Sequence, residues 1–217
     1  MNARSQVFEL AIEGHQVDEA VASIFHTILF HRSLGKFLYN AETTYSVGSL
    51  GYMDVDCNFI DVTYVCCTSD QLDQAIKREI RQFSEQLRSQ DSVGTGQISL
   101  EFFEKKKRWV RTPECIPWEV WTVRLELLHL NNADERLFQR EQVSEMLSEK
   151  ILYITDVMNK QDYVPKMPSQ SELDFVFDTS YTDIQPYLFK CKYSTAGPSE
   201  SSVGNSMKKF IKETLSL

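Results

Sequence analysis

Long hydrophobic runs are missing from this chain. No apolar stretch approaches the roughly 20 residues that a bilayer-spanning helix needs. Near the N-terminus Glu9, Glu13 and Asp18 interrupt every run that could serve as the apolar centre of a signal peptide. A soluble protein of the cytosol or nucleus is expected. Cysteine is sparse as well: Cys57, Cys66, Cys67, Cys115 and Cys191 are odd in number and lack C-x-x-C spacing, which argues against a disulfide framework and against a zinc site. Reduced, mostly buried thiols are expected, with the adjacent Cys66 and Cys67 on opposite faces of a strand, one in the core and the other exposed. Positive charge is in deficit. The formal net charge of the 217 residues is -8, so general attraction to nucleic acid or to an anionic membrane is disfavoured.

Catalytic signatures are equally scarce. The histidines are His15, His26, His31 and His129, and no two stand four apart, the spacing that sets two ligands on one helical face. Asp54 and Asp56 share one face of an expected strand but have no third ligand nearby in sequence. There is no G-x-S-x-G, phosphate-binding loop, dinucleotide fingerprint or kinase motif, and Gly94 and Gly96 fit a turn that enters a strand. No catalytic residue, metal or cofactor is expected, and the rival in the enzyme class is a thiol enzyme using Cys66 or Cys67.

What is present is a globular composition, 42% apolar, 25% charged and 12% aromatic, in a chain long enough for one sizeable core. Apolar residues recur at helical spacing in three places. The first stripe is Val17, Ala20, Val21, Ile24, Phe25, Ile28 and Leu29. The second runs from Leu72 to Leu87 after Thr68 and Gln71, read as a capping box, and the third follows Asn132 and carries Val143, Met146, Leu147, Ile151, Ile154 and Met158 before Pro165. Between the first two helices, VDCNFIDVTYVCC changes parity near Ile60, which predicts a bulged strand. GQISLEFFEKKK and ECIPWEVWTVRLELLHL predict a long β-hairpin, with Pro117 at an edge or a bulge. DFVFDTS and PYLFKCKYS predict two short strands. STAGPSESSVGNS reads as a flexible linker before the amphipathic MKKFIKETLSL, so residues 1–196 are expected to form the domain and 197–217 a linker and terminal segment. The order, without regular βαβ alternation, predicts an α+β fold with three helices packed on a mainly antiparallel sheet.

The hairpin loop is the one polar segment with an unusual composition: Lys105, Lys106, Lys107 and Arg108, then Trp109, Val110 and Arg111. Three readings stand side by side. Trp109 folds back on the sheet among solvated cations; or it is a recognition finger, since Trp and Arg dominate binding energy at interfaces; or it stacks on nucleic acid, against which the acidic remainder of the chain argues.

At these residues the chain resembles the autophagy-related protein 101 group of HORMA-domain proteins. HTILFHRSLGKF, VDCNFIDVTYV, QISLEFFEKKKRW, ECIPWEVWTV, VMNKQDYVPKMPSQSELDFVFDTS and DIQPYLFK carry the resemblance over nearly the whole chain. It implies a HORMA-like domain over residues 1–196. It also implies a non-catalytic subunit of the autophagy-initiating kinase complex, cytoplasmic and recruited to autophagosome formation sites. That subunit pairs with and protects the HORMA domain of autophagy-related protein 13. A protruding finger, in which a tryptophan and a nearby phenylalanine recruit downstream autophagy factors, is implied too. Trp109 matches the tryptophan; the family's Trp-Pro-Phe corresponds to Trp109, Val110 and Arg111 here, so the second aromatic is replaced and Arg108 and Arg111 flank a single anchor. Within the same fold, the rival reading is a checkpoint-type HORMA protein that captures a partner peptide with a mobile C-terminal segment.

Overall fold

A computed structural model describes residues 3–89, 94–106, 113–159 and 163–196. In chain order the elements are β1 (Arg4–Glu13), α1 (Val17–His31), β2 (Ser33–Gly35), β3 (Phe37–Ala41), β4 (Thr44–Val47), β5 (Tyr52–Asp56) and β6 (Thr63–Cys67). They continue with α2 (Asp70–Arg88), β7 (Thr95–Lys106), β8 (Glu114–Leu128), α3 (Ala133–Met158), β9 (Ile184–Pro186) and β10 (Phe189–Ala196). Short 3-10 turns lie at Gly14–Gln16 and Gln170–Phe175.

The main sheet has the order β1-β8-β7-β10. β7 and β10, and β7 and β8, pair antiparallel, whereas β1 runs parallel to β8 from Arg4↔Glu119 to Glu13↔Leu128. The sheet is therefore mixed. β1 is a strand that the sequence reading did not include, although Phe8, Leu10 and Ile12 alternate with Val7, Glu9 and Ala11, the pattern of a strand with one buried face. On β8 the alternation is Glu119, Trp121, Val123, Leu125 and Leu127 inward, all buried, with Thr122, Arg124 and Glu126 outward.

All three expected helices form. α1 buries eleven of its fifteen residues because α2, α3 and β6 flank it. Its buried hydroxyls are satisfied locally, Ser23 donating to the Ala20 carbonyl at 3.0 Å and Thr27 to that of Ser23 at 2.7 Å. α2 begins one residue later than the capping box implied: Ser69, not Thr68, is the N-cap, its Oγ accepting from the Leu72 amide. Asn132 caps α3 through the Asp134 amide. Gly96 owes its identity to close packing of α2: a Cβ there would stand 2.9 Å from Leu87 and 3.0 Å from Phe83.

Two strand expectations are corrected. The parity change near Ile60 is a turn rather than a bulge, because β5 and β6 pair with each other from Tyr52↔Cys67 to Asp56↔Thr63. That turn is fastened to the helices, with the Glu19 carboxylate accepting the Asn58 and Phe59 amides at 2.8 Å each and Arg140 of α3 pairing with Asp61. DFVFDTS is not a strand either; it ends the 3-10 turn, and only Phe177 bridges to Tyr187. Pro117 fits both offered explanations. The β7 register shifts between Phe102 and Phe103, and β1 has ended by that point, so the missing N–H costs no ladder bond on that side.

Where α1 ends, an ion cluster is buried. Arg32 donates through Nε to Glu119 Oε2 at 2.7 Å and through Nη2 to Oε1 at 3.1 Å, with both side chains 2% or less exposed. Tyr163 completes the set: its hydroxyl accepts from Arg32 Nη2 at 2.9 Å and donates to Glu119 Oε1 at 2.7 Å. Burial and the neighbouring carboxylate push the phenol up to about 12, so it keeps its proton. The rings of Trp118 and Tyr163 cover the guanidinium at 5.7 Å, and the Arg32 carbonyl accepts the Tyr187 amide.

Removing one charge strands the other without water, so Glu119→Gln is expected to cost about 3–5 kcal/mol in urea unfolding. Replacing both, as Arg32→Met with Glu119→Leu, is expected to recover most of that loss. His26 gives a pH prediction. It is 2% exposed, stacks on Tyr64, and is held neutral because burial lowers its pKa from 6.5 to about 4, against the opposing pull of Asp73. Below pH 6.5 the unfolded chain binds the proton and the folded one does not, so stability falls as pH drops from about 6.5 to about 4, by about 3 kcal/mol. The stability difference between wild type and His26→Phe, followed by denaturation from pH 7 to 4, should show that slope.

Candidate functional site

The finger residues Arg108, Trp109, Val110 and Arg111 lie outside the described residues. Their support is described. β7 and β8 stay paired as far as Lys106↔Glu114, whereas β1 first pairs at Arg4↔Glu119 and β10 at Phe189↔Phe102. Beyond Phe102 and Glu119 the hairpin therefore runs past the strands that flank it in the sheet. Residues 103–106 extend it by about 13 Å at the rise of a strand. The segment that carries Trp109 is joined to the end of this stem.

Two features stiffen the stem at its root. Glu119 is the last β8 residue paired with β1, and its carboxylate is held by Arg32 and Tyr163. The next residue outward, Trp118, packs its ring against Phe102 at 5.6 Å, Tyr187 at 5.4 Å and Tyr163 at 6.3 Å. An exposed loop on a free two-stranded ribbon would be poorly positioned; here the ribbon starts from a buried ionic and aromatic anchor.

Beside the stem lies a groove of about 310 Å³ between β7 and residues 166–176. Lys105 and Lys106 line it from the stem and Lys166 from the opposite wall, over Met167, Phe175 and Val176. The wall is pinned in place: Tyr39 donates to the Pro168 carbonyl at 3.1 Å, the Gln170 amide to the Glu42 carbonyl at 2.9 Å, and the Leu188 amide to the Val176 carbonyl at 2.9 Å. Glu42 also accepts from the Ser171 amide and hydroxyl, and these bonds hold its carboxyl below its ordinary range. Lys166 was not singled out in the sequence, since about sixty residues separate it from Lys105 and only the fold brings them together. For Glu119 a signal did exist. It is the one charge on the inward parity of an otherwise apolar alternation.

The candidates for other chemistry separate. Cys66 and Cys67 are both buried, at 3% and 4% exposure, which corrects the expectation that one would face solvent; β6 packs along α1 and against Ser33. Burial raises both thiols, that of Cys67 to about 11, the opposite of activation for a nucleophile. Asp54 and Asp56 are exposed on β5, and Asp56 accepts a hydrogen bond from Thr63 at 2.6 Å. Among the described residues no group of three His, Cys, Asp or Glu is arranged to hold a metal ion. Cys115, opposite Lys105 on the stem, is the exposed cysteine. Ellman's reagent at pH 8 should therefore titrate one fast thiol per folded chain, and Cys115→Ser should abolish that phase; a fast phase retained in the variant would contradict this packing of the other thiols.

A family model described as autophagy-related protein 101 matches residues 9–171. A protein of that name from Xenopus tropicalis is 51% identical over 218 residues, and the one from Homo sapiens is 50% identical over the same length, each alignment covering the whole of both chains. The one from Arabidopsis thaliana is 26% identical over 182 residues, 74% of this chain and 78% of the plant protein. No helix among the described residues is long and apolar enough to cross a membrane. With half of its residues shared end to end with such relatives, this chain belongs to the autophagy-related protein 101 family.

Proposed function

We propose that the chain is a non-catalytic adaptor of the autophagy-initiating kinase complex, built on a HORMA fold. In this reading it pairs with the HORMA domain of autophagy-related protein 13 and stabilises it, and it recruits downstream autophagy factors through the Trp109 loop. It works in the cytoplasm and is drawn to sites of autophagosome formation. The family itself ties the chain to autophagy; the partner and the recruiting role are the further step.

The observation that carries the recruiting role is the stem. A loop rich in Lys and Arg with one tryptophan is attached to a two-stranded extension rooted in a buried ion cluster, so an anchor residue at its end is presented with little freedom in its support. For the pairing role, α3 offers surface of the right character. It exposes Leu137, Phe138 and Leu152, at 62%, 61% and 70%, large apolar side chains on one helix, with Tyr153 half-exposed beside Phe8.

Trp109→Ala is expected to leave pairing with the HORMA partner unchanged and to weaken binding of the recruited factor by about thirtyfold, the effect of losing a tryptophan hot spot of about 2 kcal/mol. In starved cells carrying only the variant, recruitment to autophagosome formation sites should fall accordingly. Normal recruitment would remove the finger from the account.

A further inference from the structure

We infer that the outward face of α3 is the docking site of the chain's own terminal segment, residues 207–217, which binds it as a basic amphipathic helix. Residues 197–217 lie outside the described residues; the face that receives them is described. The contact stands apart from the pairing and recruiting roles proposed above, and a partner that pairs through α3 has to displace the segment.

The face is apolar at its ends and acidic between them. Phe138, Glu141, Gln142, Glu145, Glu149 and Leu152 are all exposed, and at 3.6 residues per turn they fall within about 100° of arc. Phe138 and Leu152 are 61% and 70% exposed, and their spacing along the axis is about 21 Å. Glu141, Glu145 and Glu149 repeat every four residues, the spacing at which like charges repel on a helix. None of the three forms an ion pair among the described residues. The cations of α3 do not relieve them: Arg136 pairs with Glu13, Arg140 with Asp61, and Lys150 lies over the Phe8 ring, all directed toward β1 or the β5–β6 turn. A second copy of the chain would bring the same carboxylates to this face, so its occupant has to be cationic and apolar together.

MKKFIKETLSL has that composition. On a helical repeat Lys208, Lys209 and Lys212 share one sector of about 100°, and Met207, Phe210, Ile211 and Leu215 lie in the adjoining one. The lysines outnumber the segment's single acid, Glu213. Its lysines answer the three glutamates, and its apolar side chains cover Phe138 and Leu152.

The fold places the segment within reach. Ala196, at the end of β10, is paired with Thr95, Thr95 with Glu126 and Glu126 with Ala11, one row across all four strands of the main sheet. The Ala11 carbonyl accepts from Gln139 of α3 at 2.8 Å, so the first half of the helix sits at the other end of that row. Three strand spacings and one glutamine side chain make about 20 Å. The connecting residues 197–206 are GPSESSVGNS, and a Gly- and Ser-rich tether of that length has an r.m.s. span of about 17 Å and a limit of about 35 Å, enough to pass round the helix. A tether whose relaxed length matches the span gives the highest effective concentration, which favours this segment over a free ligand of the same chemistry.

The test treats the full chain, alone and dilute, with a zero-length carbodiimide, which joins an amine to a carboxylate only where the two touch, and maps the monomeric product by mass spectrometry. Links from Lys208, Lys209 or Lys212 to Glu141, Glu145 or Glu149 are expected. They should fall about fivefold or more in Phe138→Ser/Leu152→Ser, which keeps every reacting group but removes the apolar contacts. Amide exchange of residues 207–217 should be slowed about fivefold or more relative to Lys208→Glu/Lys209→Glu/Lys212→Glu. Melting temperatures of the variants confirm folding. Lysine links scattered over carboxylates elsewhere in the chain would overturn the docking, as would links to α3 that survive Phe138→Ser/Leu152→Ser. Links formed only between copies, read from a mixture of nitrogen-14 and nitrogen-15 chains, would overturn it in favour of exchange between molecules. Binding of the wild type but not the lysine variant to vesicles of about 30% phosphatidylserine in phosphatidylcholine, with no link to α3, would overturn it too and assign the segment to a lipid surface. Because the chain is tested without its HORMA partner, failure here leaves the pairing reading untouched, and failure of pairing leaves this contact untouched.

Discussion

The buried pair of Arg32 and Glu119 ties together three parts of the chain that are distant in sequence. Arg32 follows the last turn of α1, Glu119 is the outermost β8 residue paired with β1, and Tyr163 comes from the connection after α3. The Arg32 carbonyl also receives the Tyr187 amide, which sets the entry to β10. Such a pair contributes little net stability compared with apolar residues of the same volume, because desolvating both ions offsets much of their attraction. Its value lies in registry: the bidentate geometry is satisfied in one arrangement of helix, sheet and connector, and slipping β8 by one residue would put a carboxylate in solvent and strand a guanidinium in the core.

That constraint explains why a hairpin can leave the sheet and still be well placed. Up to Glu119 and Phe102 the two long strands have neighbours, and from there outward they have each other, the Leu188 carbonyl and the groove wall. The aromatic cluster of Trp118, Phe102, Tyr163 and Tyr187 surrounds the ion pair at this point of departure. The root of the stem is thus held by residues that lie outside the loop sequence.

Much of this was legible in the sequence where periodicity spans a long element. The three helices lie where their apolar stripes place them, because each stripe repeats over three or more turns, and the β7–β8 hairpin is evident from its alternation. Short or shared signals misled. The parity change at Ile60 was compatible with a bulge and a turn alike, and only pairing of β5 with β6 distinguishes them. DFVFDTS is rich in strand-forming residues, yet hydrogen bonds of Gln170 and Ser171 to Glu42 curl the chain just before it. β1 alternates correctly but contains three residues, Glu9, Ala11 and Glu13, of low strand propensity. The Trp109 loop was singled out by composition and lies outside the described residues; the groove beside the stem was not legible, since Lys105 and Lys166 come to line it only through the fold.

The proposed function makes the chain one half of a HORMA pair. Multi-angle light scattering on the full chain mixed with the HORMA domain of autophagy-related protein 13 tests that most directly. A single species with the mass of a one-to-one complex, persisting on dilution to micromolar concentration, is the result it predicts. Two separate peaks with the masses of the individual chains would contradict it.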